Sequence, residues 1–517
     1  PHRAATNGCT GRLVMHIILG PPGTGKTTKL LTMVEESLNR GISPERIGYF
    51  SFTRRAAEEA IQRATRRFGL TYKDLPYFRT LHSLAMHRAG IDKKRVMSWA
   101  HYEDCARWLK VTPFKEVRPA DEGPYQEYGM GDRFLEVINM SRICLLPLRQ
   151  VYNHSTVPQT TDFSKVEYVD RGLRAYKKAH DLYDFTDMLE IFLQQKLSPQ
   201  FDIVFIDEVQ DLSPIQWQMV HQIAERSKQV VIAGDDDQAI YRWAGADVEY
   251  FIRLQGTTEV LGQSYRIPAS HHAMSQRLIS GVHHRRRKEF LPRPEEGSII
   301  WHRHSEEVDL ERDDWLLLAR TRKLAMQLED EVRQRGMLYT FSLSKDIDHR
   351  TLEAIQMWEA LRRGEGLTAK DVRAVYRQML LNKQVQRGHK TLPDIPEDCV
   401  LTIGDLTTNH GLLTTAPWDD ALGAIPDNEV VYFKACLRRG EDFTKKPRIR
   451  ISTIHSAKGA EATNVLLVTD YPQKVTGSVR DVHEADDEKR VFYVGLTRAK
   501  KELHLIHPMV SKGFPLT

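Results

Sequence analysis

A glycine-rich segment near the start of the chain, GPPGTGKT at Gly20–Thr27, constrains the fold more than any other stretch. It matches the phosphate-loop pattern G-x-x-x-x-G-K-[ST]. An apolar run, Met15–Leu19, precedes it, and apolar residues at helical spacing follow it as far as Gly41. A strand, a glycine-rich turn and a helix N-terminus form an anion site, because backbone N–H groups and the helix dipole face the bound charge. The alternative is a chance glycine-rich turn, and the matching flanks argue against it.

The side chains of this loop correspond to parts of a bound nucleoside triphosphate. The lysine of such a loop, here Lys26, reaches the β- and γ-phosphates, and the hydroxyl of Thr27 holds Mg²⁺. The sequence therefore predicts a nucleotide-binding segment made of Gly20, Gly23, Thr24, Gly25, Lys26, Thr27 and Thr28.

Composition restricts the remaining possibilities. A chain of 517 residues is long enough for about two to four domains. The net charge of +5 permits a polyanionic partner without requiring one. No run of about 18 apolar residues exists, so the sequence predicts no membrane span. The five cysteines are widely spaced and form no C-x-x-C pair, which favours a reducing cytoplasm over a disulfide framework or a zinc site.

Alternating apolar strands and amphipathic helices predict an α/β fold with two parallel-sheet units. A mainly helical insertion interrupts each unit. The predicted strands are Met15–Leu19, Ile47–Phe52, Phe201–Ile206, Gln229–Gly234, Ser298–Trp301, Trp315–Ala319, Arg448–Thr453, Asn464–Thr469 and Glu502–Ile506. The predicted division is a first domain at 15–84 and 181–256 with an insertion at 85–180, and a second domain at 257–345 and 446–517 with a reduced insertion at 346–445. We expect residues 1–14 to be an expression remnant, with Met15 as the native start.

A second acidic element complements the phosphate loop. The apolar run Val204–Ile206 leads directly into Asp207 and Glu208. One carboxylate at a strand end can hold Mg²⁺, and the next can take a proton from the attacking water. A surface turn with paired acids is the alternative, and the phosphate loop earlier in the chain argues against it.

Eight segments, in order along the chain, resemble the motifs of superfamily 1 helicases of the UvrD/Rep/PcrA type. They are SFTRRAAEEA (Ser51–Ala60), RTLHSLA (Arg79–Ala85), DFTDML (Asp184–Leu189), IDEVQDLSPIQ (Ile206–Gln216), AGDDDQAIYRWAGA (Ala233–Ala246), LGQSYRIP (Leu261–Pro268), ISTIHSAKGAEA (Ile451–Ala462) and EKRVFYVGLTRAKKELHL (Glu488–Leu505). The resemblance implies two RecA-like motor domains that use ATP and Mg²⁺ to move along single-stranded DNA. It further implies 3′-to-5′ movement and duplex unwinding.

The resemblance also implies catalytic and nucleotide-binding roles for individual residues. Glu208 would be the catalytic base, and Gln238 would sense the γ-phosphate. Hydrolysis develops negative charge on the γ-phosphoryl oxygens, which guanidinium groups offset. Arg266 and Arg498 would be arginine fingers from the second unit, and Tyr265 would stack on the adenine. Asp207 would bind Mg²⁺, and Glu461 would contact the ribose.

A track for single-stranded DNA needs aromatic rings, because stacking contributes about 1–3 kcal/mol per base whatever the sequence. Core packing is the usual role of a lone Trp or Tyr, but the polar, glycine-flanked setting of Tyr241 and Trp243 favours stacking. A lone histidine is usually structural, so the histidine candidates depend on the resemblance. The basic run His283–Lys288 could bind duplex phosphates or could be a solvated face. The predicted DNA contacts are Phe52, Thr53, His82, Tyr241, Trp243 and His455.

The chain departs from the family pattern at several positions. No glutamine precedes Gln62, so the adenine-reading glutamine segment is missing and a choice between ATP and GTP stays open. Ala244 stands where relatives usually place arginine, and Ala462 replaces a phenylalanine. The second insertion is short for the family.

These features leave three functional hypotheses. The first is an ATP-dependent DNA helicase acting as a monomer on single-stranded DNA and its junctions with duplex, with replication or repair proteins as partners. The second is a DNA-stimulated translocase that strips proteins from DNA with little unwinding. A non-catalytic scaffold would need a broken active site, and no catalytic motif is broken. We expect a cytoplasmic location, in a bacterium or in the host of a virus.

Overall fold

The computed structural model describes residues 15–51, 54–112, 130–155, 162–341, 349–443, 445–471, 482–508 and 513–516. Two compact units divide the chain. The first contains the described parts of 1–297 and 473–498, and the second those of 298–472 and 499–515. Each unit has its own six-stranded sheet.

The strands follow the apolar runs of the sequence closely. In chain order they are β1 Met15–Leu19, β2 Ile47–Ser51, β3 Phe78–Thr80, β4 Phe201–Asp207, β5 Ser227–Gly234, β6 Thr257–Val260, β7 Ser298–His302, β8 Trp315–Ala319, β9 Tyr339–Phe341, β10 Leu367–Thr368, β11 Val400–Leu401, β12 Ile449–Thr453, β13 Ala462–Val468 and β14 Ala499–Ile506.

The helices fill the crossovers and both insertions. The α-helices are α1 Lys26–Asn39, α2 Arg54–Phe68, α3 Leu81–Arg88, α4 Trp99–Leu109, α5 Met130–Ile143, α6 Leu148–Asn153, α7 Phe163–His180, α8 Phe185–Gln194, α9 Pro214–Ala224, α10 Val248–Arg253, α11 Ala269–Ser280, α12 Arg322–Gln334, α13 His349–Arg362, α14 Ala369–Arg377, α15 Ile403–Asn409, α16 Trp418–Ala421, α17 Asp427–Arg439 and α18 Val482–Leu496.

The first sheet is parallel, with strand order β3-β2-β4-β5-β1-β6. Both faces of its four inner strands are buried, because alternate residues of β1, β2, β4 and β5 enter different apolar clusters. On β4, Val204 and Ile206 belong to one cluster, whereas Ile203 and Phe205 belong to the other. The carboxyl ends of β1, β4 and β5 therefore lie side by side at one edge, where loops can form a site.

The observed units and the predicted domains divide the chain differently. Strand β6 pairs with β1 through His16–Leu19, so it belongs to the first sheet although the sequence-based division begins the second domain at residue 257. The following residues as far as Gly297, and helix α18, also group with the first unit. The first insertion has its own apolar cluster, formed mainly by α4, α5 and α7.

The second sheet is also parallel, with strand order β7-β14-β13-β8-β12-β9. One continuous apolar cluster joins β8 and β12 to helices α13, α14 and α17 of the second insertion. The reduced insertion is therefore packed as part of the unit rather than as a separate body. The predicted fold class, two parallel-sheet α/β units with mainly helical insertions, is confirmed. Within the described ranges, no helix is both long enough and apolar enough to cross a membrane.

Candidate nucleotide and nucleic-acid site

The phosphate loop runs from the end of β1 to the start of α1. Gly23 has φ +73°, and a Cβ placed on it would lie 2.4 Å from Cβ of Arg266. The backbone N–H of Tyr265 donates to the carbonyl of Gly23 at 2.9 Å, and the Ser264 hydroxyl donates to the carbonyl of Pro22 at 2.8 Å. Tyr265, the predicted adenine-stacking residue, and Arg266, a predicted arginine finger, therefore lie in a segment that packs directly on the phosphate loop.

Other loop residues are also placed by local contacts. Gly25 precedes α1 in the left-handed region, with φ 77°, and the Thr24 hydroxyl donates to the carbonyl of Pro21 at 2.8 Å. The N–H of Gly20 donates to the carbonyl of Gly234 at 3.0 Å, which ties the loop to the end of β5. The Tyr265 side chain is 74% exposed, as a stacking platform requires.

Lys26 forms an ion pair with the predicted catalytic base. Its Nζ lies 2.8 Å from Oε1 of Glu208. Although burial disfavours the charged form, the carboxylates of Glu208 and Asp207 raise the pKa of Lys26 above its ordinary value. The ammonium is therefore charged at neutral pH, and a phosphate oxygen can replace the carboxylate as its partner.

Asp207 ends β4 beside the Thr27 hydroxyl. Its Oδ2 accepts hydrogen bonds from Thr27 Oγ1 and from the Tyr49 hydroxyl, both at 3.2 Å. Burial and the neighbouring Glu208 raise the pKa of Asp207 to about 6. A hydroxyl and a carboxylate at this spacing fit Mg²⁺, which takes one or two protein oxygens and completes its shell with water and substrate phosphates. In the part of the chain that the structure describes, no group of three or more His, Cys, Asp or Glu side chains that could hold a metal ion is found.

Glu208 has an unusual backbone and a partner that sequence reasoning missed. Its φ of 57° is in the left-handed region, which costs a non-glycine residue about 1–3 kcal/mol. Gln210 Nε2 donates to Glu208 Oε2 at 2.5 Å, while Gln210 Oε1 accepts from the N–H of Asp235 at 3.0 Å. Gln210 therefore connects the ends of β4 and β5. The only sequence signal was a polar residue between the apolar Val209 and the acidic Asp211.

The predicted γ-phosphate sensor contacts a predicted arginine finger within the first unit. Arg498 Nη2 donates to Gln238 Oε1 at 3.0 Å, and Arg498 Nε donates to the carbonyl of Val494 at 2.8 Å. Gln238 in turn donates to Asp235 at 2.7 Å. Arg266 and Arg498 both group with the first compact unit, whereas the resemblance implied fingers from the second.

The described DNA candidates of the first unit are aromatic or lie beside an aromatic ring. The ring centroids of Tyr241 and Trp243 are 6.3 Å apart at an interplanar angle of 59°. His82 packs edge-on to Phe185 at 6.0 Å, and burial lowers the pKa of His82 to about 4. Phe185 is 59% exposed and was not among the predicted contacts, although it lies in the DFTDML segment. Phe52 and Thr53 lie outside the described residues.

Two candidates belong to the second unit. Glu461 forms an ion pair with Lys500 at 2.5 Å. His455 is buried, and burial together with Arg320 and Lys458 lowers its pKa well below the ordinary value. Its imidazole is therefore neutral at neutral pH. Their contacts with nucleotide and DNA stay predictions.

The basic run His283–Lys288 is largely used inside the first unit. Lys288 Nζ is buried and lies 2.6 Å from Asp236 Oδ1 and 3.0 Å from Asp237 Oδ2. Arg285 also pairs with Asp237, with Nε donating to Oδ1 at 2.8 Å. Lys288 and Arg285 therefore belong neither to a duplex-binding face nor to a solvated face, because both are paired with buried carboxylates. The physical reason is that consecutive buried carboxylates after β5 require cations nearby.

A basic cavity beside the phosphate loop was also missed. It measures about 310 Å³, and its lining includes Thr28 and three arginines, Arg63, Arg66 and Arg67. Arg63 Nη1 donates to the Thr28 hydroxyl at 3.2 Å. The arginines follow helical spacing on α2, but the sequence did not indicate that this face meets Thr28.

Comparison with known proteins agrees with this geometry. The family model described as the UvrD/REP helicase N-terminal domain matches residues 4–259, and the UvrD-like helicase C-terminal domain matches 428–508. The chain is 21% identical to the ATP-dependent DNA helicase PcrA of Bacillus subtilis, over 97% of this chain and 82% of that protein. It is also 21% identical to the probable DNA helicase II homolog of Rickettsia conorii, over 96% of this chain and 91% of that protein.

Among solved structures, the Arterivirus nonstructural protein 10 helicase aligns at 12% identity and a TM-score of 0.33, and the chain spans 60% of its length. That likeness is too low to add to the argument. The family matches and the ordered motifs do decide the matter: the chain belongs to the UvrD/Rep/PcrA-type superfamily 1 helicases.

Proposed function

We propose that this chain is an ATP-dependent DNA helicase that moves 3′ to 5′ along single-stranded DNA and unwinds duplex ahead of it. The observation that carries the proposal is the hydrogen bond from Arg498 to Gln238. Gln238 lies three residues before Tyr241 on one short segment, so a group that senses phosphate and a ring that can stack on a base move together.

The predicted site residues at the carboxyl ends of β1, β4 and β5 can each be given a role in ATP hydrolysis. Thr27 and Asp207 would hold Mg²⁺, which neutralises charge on the phosphate oxygens when it is bound. Incoming phosphates would draw Lys26 away from Glu208. Glu208, still oriented by Gln210, could then accept a proton from the attacking water. Arg266 and Arg498 would offset the charge that develops on the γ-phosphoryl group.

The nucleic-acid side of the proposal uses stacking and backbone contacts. Tyr241, Trp243 and Phe185 provide rings, and sequence-tolerant stacking on such rings suits a motor that must pass every base. Single-stranded DNA and its junctions with duplex are the proposed substrates. We expect the monomer to be the active form, with replication or repair proteins as partners.

A strand-displacement assay tests the proposal. Duplexes with a 3′ tail, a 5′ tail or no tail are mixed with protein and either ATP or GTP, and Lys26→Ala is the matched control. We expect ATP-dependent unwinding of the 3′-tailed duplex only. Unwinding from 5′ tails alone would overturn the polarity. DNA-stimulated hydrolysis without strand separation would instead favour a translocase that strips proteins from DNA.

A further inference from the structure

An ion pair joins the segment between the two predicted stacking rings to a distant part of the first unit. Arg242 lies between Tyr241 and Trp243 in sequence, and its Nε is 3.2 Å from Asp487 Oδ2. A second carboxylate, Glu249 Oε1, lies 3.6 Å from Arg242 Nη2. Arg242 is the only cationic residue between Ala239 and Asp247, so no neighbour can take over its role.

Asp487 is also hydrogen-bonded within its own helix, to Arg490. It lies in the first half of α18, and Arg490 Nη1 donates to its Oδ1 at 3.1 Å. Arg490, itself buried, also donates to the carbonyl of His284 at 2.6 Å. Burial raises the pKa of Asp487 to about 6 against the effect of Arg242 and Arg490. The two arginines therefore keep a half-buried carboxylate ionised at neutral pH.

Helix α18 leads from this carboxylate to the predicted finger. It ends at Leu496, and Arg498 follows two residues later with its Nε hydrogen-bonded to the Val494 carbonyl. Arg498 lies eleven positions after Asp487. The nine positions from Asp487 to the end of the helix at Leu496 span roughly 14 Å of this stiff element, because a helix rises about 1.5 Å per residue. A shift at one end of α18 reaches the other without passing through a loop.

We propose that Arg242 is a positioning residue that transmits occupancy of the Tyr241–Trp243 track, through Asp487 and helix α18, to Arg498. This inference rests on the proposed function. Its physical basis is that two connections join the Tyr241–Trp243 segment to the region of Arg498. The first is the hydrogen bond from Arg498 to Gln238, which lies three residues before Tyr241. The second is the ion pair between Arg242 and Asp487. Two attachments hold Arg498 against rotation, whereas one permits it.

The experiment measures coupling rather than activity alone. Basal hydrolysis, hydrolysis with saturating oligo(dT), the Kd for oligo(dT) and the Tm are compared for Arg242→Ala, Asp487→Asn, the double variant and Arg242→Lys. The control is Arg107→Ala, because Arg107 pairs with Asp104 on the surface of the first insertion and lies outside the proposed connection. Coupling between sites is typically worth about 5–150-fold, so we expect the ratio of stimulated to basal hydrolysis to fall at least about fivefold in either single variant.

The remaining readouts separate the inference from its alternatives. The double variant should fall no further than the single ones, since both remove one connection, and Arg242→Lys should recover part of the ratio. An unchanged ratio of stimulated to basal hydrolysis in Arg242→Ala would contradict the inference. Equal losses of the basal and stimulated rates, accompanied by a lower Tm, would also contradict it. A wild-type protein that oligo(dT) does not stimulate would overturn the proposed function itself.

Discussion

Replacing Arg498 by lysine tests the catalytic arrangement most directly. Lysine keeps the positive charge but has one donor group in place of the planar fork. In the structure the fork serves two purposes at once, since Nε donates to the Val494 carbonyl and Nη2 donates to Gln238. An ammonium carries its three N–H donors on one nitrogen and cannot reproduce the spacing of Nε and Nη2, so the charge survives while its placement is lost.

The expected loss follows from that geometry. An arginine finger is typically worth about 10³–10⁵ in rate, which corresponds to about 4–7 kcal/mol of transition-state stabilisation. Because the lysine retains the charge, we expect the lower end, a fall of about 10³ in the rate of hydrolysis. Gln238 should also lose a partner, so the effect should include weaker stimulation by DNA.

The assay is single-turnover hydrolysis of ATP with excess protein, with and without oligo(dT). Equilibrium titration of a non-hydrolysable nucleotide separates binding from chemistry, and affinity should change much less than rate. Arg253→Lys, an exposed change on α10, is the control. A hydrolysis rate within about tenfold of the wild type would refute a finger role for Arg498.

Three further predictions concern the phosphate loop, the track, and the ion pairs that Asp184 forms with Arg142 and Lys177 of the first insertion. Lys26→Ala should abolish hydrolysis while filter binding of single-stranded DNA persists; retained hydrolysis would remove Lys26 from the site. Trp243→Ala should lower the stimulation of hydrolysis by oligo(dT), and unchanged stimulation would remove Trp243 from the track. Burial opposes ionisation of Asp184, yet Arg142 and Lys177 lower its pKa to about 2. The pKa is depressed in the folded state, so this stabilisation is present above about pH 4 and is lost as the pH falls towards 2. Urea unfolding should therefore show Asp184→Asn less stable by about 2–3 kcal/mol at pH 7, with the difference narrowing below about pH 4; a difference independent of pH would contradict the assignment.

Local pattern was enough to predict the sheets and the core of the site. Strands β1 and β8 have the predicted bounds, because buried parallel strands are short apolar runs with clear ends. The pairing of Lys26 with the Asp207–Glu208 segment was also foreseeable, since the carboxyl ends of neighbouring parallel strands share one edge.

Long-range contacts were not predictable in the same way. The pattern at Thr257–Val260 does not reveal that this strand pairs with β1. Lys288 belongs to a run of basic residues, and only the buried acids after β5 explain why it is inside. Gln210 gave no signal because its role depends on the separation of two strand ends that are adjacent only in the folded chain.

The ion pair between Lys26 and Glu208 has a consequence for the end of each turnover. In the proposed mechanism, the Glu208 carboxylate would compete with the remaining diphosphate for the Lys26 ammonium once the γ-phosphate has left, and would promote release of the diphosphate. A neutral amide cannot compete in this way. Glu208→Gln should therefore retain ADP longer than the wild type, and the proposed catalytic base would then also limit product inhibition.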